Sequence, residues 1–151
     1  MPRKKNTPIK KAFARRAETV LITGGARGLG LAIATEYARK GANLVLCSRT
    51  ESDLAAAEAQ LRGIAKGTVL TVVCDVSCRE AVDRMVERIR RECGRLDVVV
   101  NDAGVIAAAP IESVTEDDFR DALDSNLWGM IHLTFASLPL LACAPRGRIL
   151  N

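Results

Sequence analysis

Residues 19–30 read Thr19-Val20-Leu21-Ile22-Thr23-Gly24-Gly25-Ala26-Arg27-Gly28-Leu29-Gly30, an apolar β-type run that passes directly into a glycine-rich turn. From Leu31 onward an apolar helical pattern opens. Strand, glycine turn and helix in that order make a cradle for a nucleotide phosphate. Glycine at positions 24, 28 and 30 frees the backbone to take positive φ and to approach a pyrophosphate closely. A helix beginning near Gly28 aims unpaired N–H groups and the positive end of its dipole at the anion. The stretch therefore encodes the first half of a dinucleotide site.

On either side of it the chain repeats one pattern. Apolar, β-rich runs occur at 19–23, 43–47, 68–73, 96–101 and 147–151, and each gap between them holds a helical pattern. Runs such as Leu96-Asp97-Val98-Val99-Val100 are nearly continuous in apolar residues, which suits strands covered on both faces by helices. Right-handed crossovers then predict an α/β fold, a Rossmann-like doubly wound parallel sheet in the order 3-2-1-4-5. Thr50, Ser77 and Thr115 each precede an acid by three positions, Asp53, Glu80 and Asp118. The Ser77/Glu80 spacing is a formal capping box, and the two aspartate cases resemble one. Gly41, Gly67 and Gly94 stand where helices should end. Residues 127–145 contain no Asp, Glu, Lys or Arg. Length alone makes this span a candidate membrane segment, but Gly129 and Pro139 favour a buried helix at a subunit interface.

With 151 residues and 48% hydrophobic content, the chain suffices for one domain with a substantial core. The net charge of +4 is concentrated at the start: residues 1–16 hold seven basic residues and no acid, leaving 15 basic and 18 acidic residues in the remainder. Residues 1–17 read as a basic, disordered leader, with an incomplete NAD(P)-binding domain over 18–151. The leader loosely resembles an acid-poor transit peptide and lacks the apolar region of a secretory signal. Aromatic residues make up 3% of the chain and no nucleic-acid motif is evident, so neither nucleic acid nor membrane is expected as a partner. The five cysteines, Cys47, Cys74, Cys78, Cys93 and Cys143, read as reduced thiols of a cytoplasmic protein. Cys74 and Cys78 have only His132 to complete a ligand set, so no metal site is expected.

The loop Thr23-Gly24-x-x-x-Gly28-x-Gly30 is followed by Asp75-Val76 after the third strand, Asn101-Asp102-Ala103-Gly104 after the fourth, and Asn126 with Gly129 in the long helix. In this set of spaced motifs the chain resembles the short-chain dehydrogenase/reductase family over residues 19–151. The resemblance implies that Gly24, Gly28, Leu29 and Gly30 contact a cofactor diphosphate, and that Asp75 hydrogen-bonds adenine with Val76 beside the ring. It further implies that Asn101, Ala103 and Gly104 line the floor under the riboses. Turn residues at a helix start and a strand end are the structural alternatives for Asp75 and Asn101. The family pattern is Asn-Asn-Ala-Gly. Asp102 stands at its second position, and an ionised acid cannot donate as an amide does, which puts the usual bonding of the fourth strand in question.

Cofactor choice follows from charge. An NAD-selective unit places Asp or Glu near the end of the second strand to hold the ribose 2′-OH, whereas this strand ends Cys47-Ser48-Arg49. Arg49 with Arg27 would grip a 2′-phosphate, with Ser48 among the candidate cofactor contacts and no nearby acid to repel the charge. NADP(H) is therefore favoured over NAD(H). The alternative is that both arginines are merely solvated.

In the family a hydride moves between nicotinamide and a carbonyl or alcohol carbon, and a tyrosine carries the oxygen-bound proton. A tyrosine pKa of about 10 must be lowered for that work, by a neighbouring lysine among others. Asn126 matches the asparagine of the proton relay, a helix-kink or packing role being the alternative. The one tyrosine is Tyr37 and no lysine follows Lys66, so Tyr-x-x-x-Lys does not occur. The expectation is an N-terminal part of a longer oxidoreductase acting on a small carbonyl or alcohol, a homo-oligomer when full length and lacking here the family's last strands. Alone, such a part should be poorly soluble. The alternative is a noncatalytic nucleotide-binding module, and the two separate on whether the reading frame continues into Ser and Tyr-x-x-x-Lys.

Overall fold

The computed structural model describes residues 17–106 and 108–151; apart from Ala17, the leader lies outside the described residues. The elements are β1 (Thr19–Thr23), α1 (Gly28–Arg39), β2 (Asn43–Ser48), α2 (Glu51–Arg62), β3 (Val69–Val73), α3 (Arg79–Glu92), β4 (Val98–Asn101), α4 (Glu116–Leu123), α5 (Gly129–Ala142) and β5 (Arg148–Leu150). The strands form one sheet in the order β3-β2-β1-β4-β5, parallel throughout.

Side-chain alternation explains why the strands read as continuous apolar runs. Leu21, Val45, Val72 and Val99 point to one face and meet Met85 and Ile89 of α3 and Leu133 and Leu141 of α5. Val20, Ile22, Leu44, Leu46 and Val100 point to the other and meet Ala34 and Ala38 of α1 and Leu54, Ala57 and Leu61 of α2. Each face has its own helical layer, so both parities of β1, β2 and β4 are covered.

Several boundaries differ from the sequence expectation. β4 starts at Val98 rather than at residue 96; at Asp97 the backbone still bonds Thr19 and Arg148, while the buried carboxylate accepts the Thr19 N–H at 2.8 Å and pairs with Arg95. Ser77 does not cap α3. Cys78 is the N-cap, with no side-chain cap bond, while Ser77 turns back to Asp75. Thr50 precedes α2 without a side-chain cap bond. The reciprocal capping box belongs instead to Thr115 and Asp118 at α4. Gly41 and Gly94 follow α1 and α3 with φ of 85° and 72°, as helix ends require. Gly67 does not end a helix: α2 stops at Arg62 with Gly63 as its C-cap. A Cβ at position 67 would lie 2.3 Å from the Ala42 carbonyl oxygen, so close approach of two backbones is what demands glycine there.

The uncharged span begins in a π-helical turn, Asp124–Trp128, that joins α4 to α5. α5 buries Gly129, Leu133, Ser137 and Leu141, a stripe repeating every fourth residue, and packs on α3. Phe119, Leu127, Trp128, Phe135 and Leu138 are exposed. Among the described residues no helix is long and apolar enough to cross a membrane.

Candidate functional site

Parallel strands deliver their C-terminal ends to one edge of the sheet, and the loops there enclose a crevice. At the end of β1 the chain turns through Gly24 with φ 66° and Gly28 with φ 55°. Gly30 does not share this geometry, contrary to the sequence expectation. Its requirement is space, because a Cβ there would sit 2.6 Å from the Gly24 carbonyl oxygen and 2.7 Å from Asp102 Oδ2. A Cβ on Gly24 would in turn press on the Ala103 backbone at 3.1 Å. The three glycines thus fold the turn tightly against the end of β4, with an extended Arg27 as N-cap and no acid in the first turn of α1.

Thr23 holds that junction. Its hydroxyl accepts the N–H groups of Asp102 and Ala103 at 3.1 and 3.0 Å and donates to the Val100 carbonyl at 3.3 Å. The end of β4 is therefore steadied from β1. The Asp102 carboxylate lies against Gly30, and burial raises its pKa, the nearby Gly30 backbone amide acting in the opposite direction. Asn101 donates through Nδ2 to Asn151 Oδ1 at 2.7 Å.

Two adjoining clefts open above these loops. The first has a volume of about 240 Å³ and is bordered by Gly24, Arg27, Gly28 and Leu29 from the glycine turn, by Ser48 and Arg49 after β2, and by Asp75 and Val76 after β3. The second, of about 400 Å³, is bordered by Asn101 and Asn126. Ala103 and Gly104 lie in the wall common to both. All the candidate residues thus lie on this surface except Gly30, which is buried beneath it. Arg27 and Arg49 are exposed. The expectation that no acid stands near them needs correction, because Asp75 and Asp102, carried in from the ends of β3 and β4, border the same cleft.

Asp75 also serves as a turn residue, its Oδ1 accepting the Ser77 N–H at 3.0 Å and hydroxyl at 2.7 Å. Asn126 sits in the π-helical turn and exchanges two hydrogen bonds with the backbone of Val105, the geometry of the packing alternative. Tyr37 lies within α1, packed against the α1–α2 layer.

The sequence reading missed Ser125, which borders both clefts, and the cysteine pair at the floor of the first. The Cys47 thiol donates to the Cys74 carbonyl at 3.6 Å. The neighbouring Cys74 side chain pushes the pKa of Cys47 up, with burial adding to it, and proximity to Cys47 lowers that of Cys74. The only signal was position: Cys47 lies in β2 and Cys74 just after β3, both on the side that faces the α3–α5 layer. Among the described residues no group of His, Cys, Asp and Glu is placed to hold a metal ion.

The profile of the short chain dehydrogenase family matches residues 18–151. The chain is similar to 11-beta-hydroxysteroid dehydrogenase A of Sesamum indicum, with 36% identity over 87% of this chain and 38% of that protein. It is also similar to an NADPH-dependent pterin aldehyde reductase of Arabidopsis thaliana, with 34% identity over 89% of this chain and 55% of that one. Among solved structures, NAD+-bound xylitol dehydrogenase superimposes with a TM-score of 0.82 at 32% identity, over 87% of this chain and 51% of the other. L-sorbose reductase from Gluconobacter frateurii, complexed with NADPH and L-sorbose, gives 0.82 at 28% identity over 93% and 53%. The chain spans about half the length of the relatives it matches.

Proposed function

Because the chain belongs to the short-chain dehydrogenase family, we propose that it forms the cofactor-binding part of an NADP(H)-dependent oxidoreductase that reduces a carbonyl or oxidises a secondary alcohol. The observation that carries this reading is the packed glycine turn, where added Cβ atoms at Gly24 and Gly30 would meet backbone, beneath a cleft bordered by Arg27 and Arg49. Such a turn leaves helix N–H groups open to a diphosphate.

In this proposal Gly24, Gly28 and Leu29 hold the diphosphate, and Gly30 supplies the clearance that lets the turn close. Asp75 and Val76 take the adenine, while Asn101, Ala103 and Gly104 support the riboses. Arg27, Ser48 and Arg49 hold the 2′-phosphate; the guanidinium groups present charged donors suited to it. When bound, the nicotinamide dinucleotide supplies or accepts the hydride. Asn126 fixes the loop over the second cleft and so shapes the floor on which the small-molecule carbonyl or alcohol would rest. Homo-oligomer formation through α4 and α5 belongs to the same reading, supported by the exposed Phe119, Trp128 and Phe135. Cytoplasmic residence is supported by five free cysteines.

Equilibrium titration of the chain with NADPH and NADH tests the assignment. NADPH binding about tenfold tighter than NADH supports it; equal affinities defeat the NADP preference, and the absence of binding to either defeats the cofactor reading.

A further inference from the structure

The cleft that Arg27 and Arg49 make attractive to a polyanion also holds a carboxylate against its helix terminus. Asp102 borders both clefts, and its carboxylate lies beside the first turn of α1. Its Oδ2 is pressed so closely on the first turn of α1 that a Cβ on Gly30 would lie 2.7 Å away. The Leu31 N–H is already bonded to the Arg27 carbonyl. The donors that helix geometry leaves unpaired are therefore those of Gly28, Leu29 and Gly30, and the Asp102 carboxylate stands beside the last of these residues. Its negative charge also cancels part of the positive potential at that helix end.

We infer that Asp102 sets the dinucleotide affinity of this site, acting as an internal anion that competes with the cofactor diphosphate for the N-terminus of α1. The inference rests on the dinucleotide reading above. Burial raises the Asp102 carboxyl pKa above its ordinary value, with the nearby Gly30 backbone amide acting in the opposite direction. Proton uptake therefore begins at a higher pH than for an ordinary aspartate, and affinity rises as pH falls through that range. Among the described residues, the other charged groups bordering the cleft are Arg27 from the α1 N-cap, Arg49 after β2 and Asp75 after β3. Thr23 from β1, and Ser125 and Asn126 from the turn before α5, add only neutral side chains.

Asp102→Asn removes the charge and keeps an acceptor beside Gly30. Calorimetric titration with NADP+ at constant ionic strength and pH 8 reads the effect as the ratio of the two proteins' affinities. Binding by Asp102→Asn about fivefold tighter than wild type is expected. Equal or weaker binding by the folded variant overturns the inference. Should Asp102→Asn fail to fold, Asp102→Ser also removes the charge and is judged by the same criteria. If neither wild type nor variant binds NADP+ or NAD+, the dinucleotide reading falls and takes this inference with it; binding without a difference defeats the role of Asp102 alone.

Discussion

Asn126 and Val105 hold each other by a reciprocal pair of hydrogen bonds: Nδ2 donates to the Val105 carbonyl at 2.9 Å, and Oδ1 accepts the Val105 N–H at 2.8 Å. One side chain thereby satisfies both backbone groups of a loop residue and ties the segment after β4 to the turn before α5. Asn126→Ala should cost about 1 kcal/mol, and Asn126→Asp should lose the donated bond while keeping the accepted one. Urea unfolding followed by circular dichroism measures both. A cost of zero for the alanine variant would mean that the loop finds equivalent partners in water.

Thr23 predicts a larger loss. Its hydroxyl lies in the buried β1–β4 junction and makes three bonds, so Thr23→Val leaves two N–H groups and a carbonyl without their partner at nearly constant side-chain volume. The expected destabilisation is about 2–3 kcal/mol, with Thr23→Ser recovering most of it. The midpoint of denaturant unfolding distinguishes the two variants.

Gly28 and Gly30 should respond to alanine for different reasons. At Gly28 the added methyl meets nothing within 4 Å, but the φ of 55° is strained for an L residue, an effect of about 1–2 kcal/mol. At Gly30 the methyl would collide with the Gly24 carbonyl at 2.6 Å, so the turn itself must open. Gly30→Ala should weaken NADP+ binding by well over the factor seen for Gly28→Ala. The reverse ranking in a binding titration would contradict the close-packed turn.

Acid should loosen α4 at its N-terminus. Hydrogen bonds from the Thr115 backbone, and then from its hydroxyl, hold the Asp118 carboxyl below its ordinary pKa. A depressed folded-state pKa gives stabilisation that is present above the ordinary aspartate value and is lost as pH falls through the lowered one. Amide hydrogen exchange across Glu116–Leu123 should therefore lose protection in that acidic window, beyond the intrinsic pH effect. Asp118→Ala should show the same loss at neutral pH.

Asp102 has the opposite sign. Its pKa is raised by burial, so the ionised form is disfavoured in the folded chain and its contribution to stability falls as pH rises from the ordinary aspartate value through the raised one. A thermal scan at pH 7 should find Asp102→Asn at least as stable as wild type. A lower melting temperature would show that the carboxylate contributes more through its contact with the first turn of α1 than burial costs it.

The strand order was legible because each strand carries apolar residues of both parities, as Val20, Leu21 and Ile22 do, and because helices separate all the strands. The cleft residues were legible where one local motif supplies them, as in the glycine turn. Features set by distant neighbours were not. Gly67 is explained by the Ala42 carbonyl and Gly30 by the Gly24 carbonyl, and no local pattern distinguishes such crowding from a helix end or a positive φ. Ser77 has the spacing of a cap, yet Cys78 takes the N-cap position and the Ser77 hydroxyl donates to Asp75. Ser125 enters the site only because the π-helical turn rotates it toward loops that follow β3 and β4.

The position of β1 in the middle of the sheet has a consequence for synthesis. β1, β2 and β3 are consecutive in sequence and adjacent in space, so half the sheet can assemble while later residues are still being added. The other edge of β1 must then stay open until β4 emerges, its Thr19 N–H waiting for an Asp97 side chain 78 positions away. A waiting edge of this kind invites wrong pairing, and non-local contacts form slowly. Docking of β4 is thus the step at which a nascent chain is most exposed to misassembly.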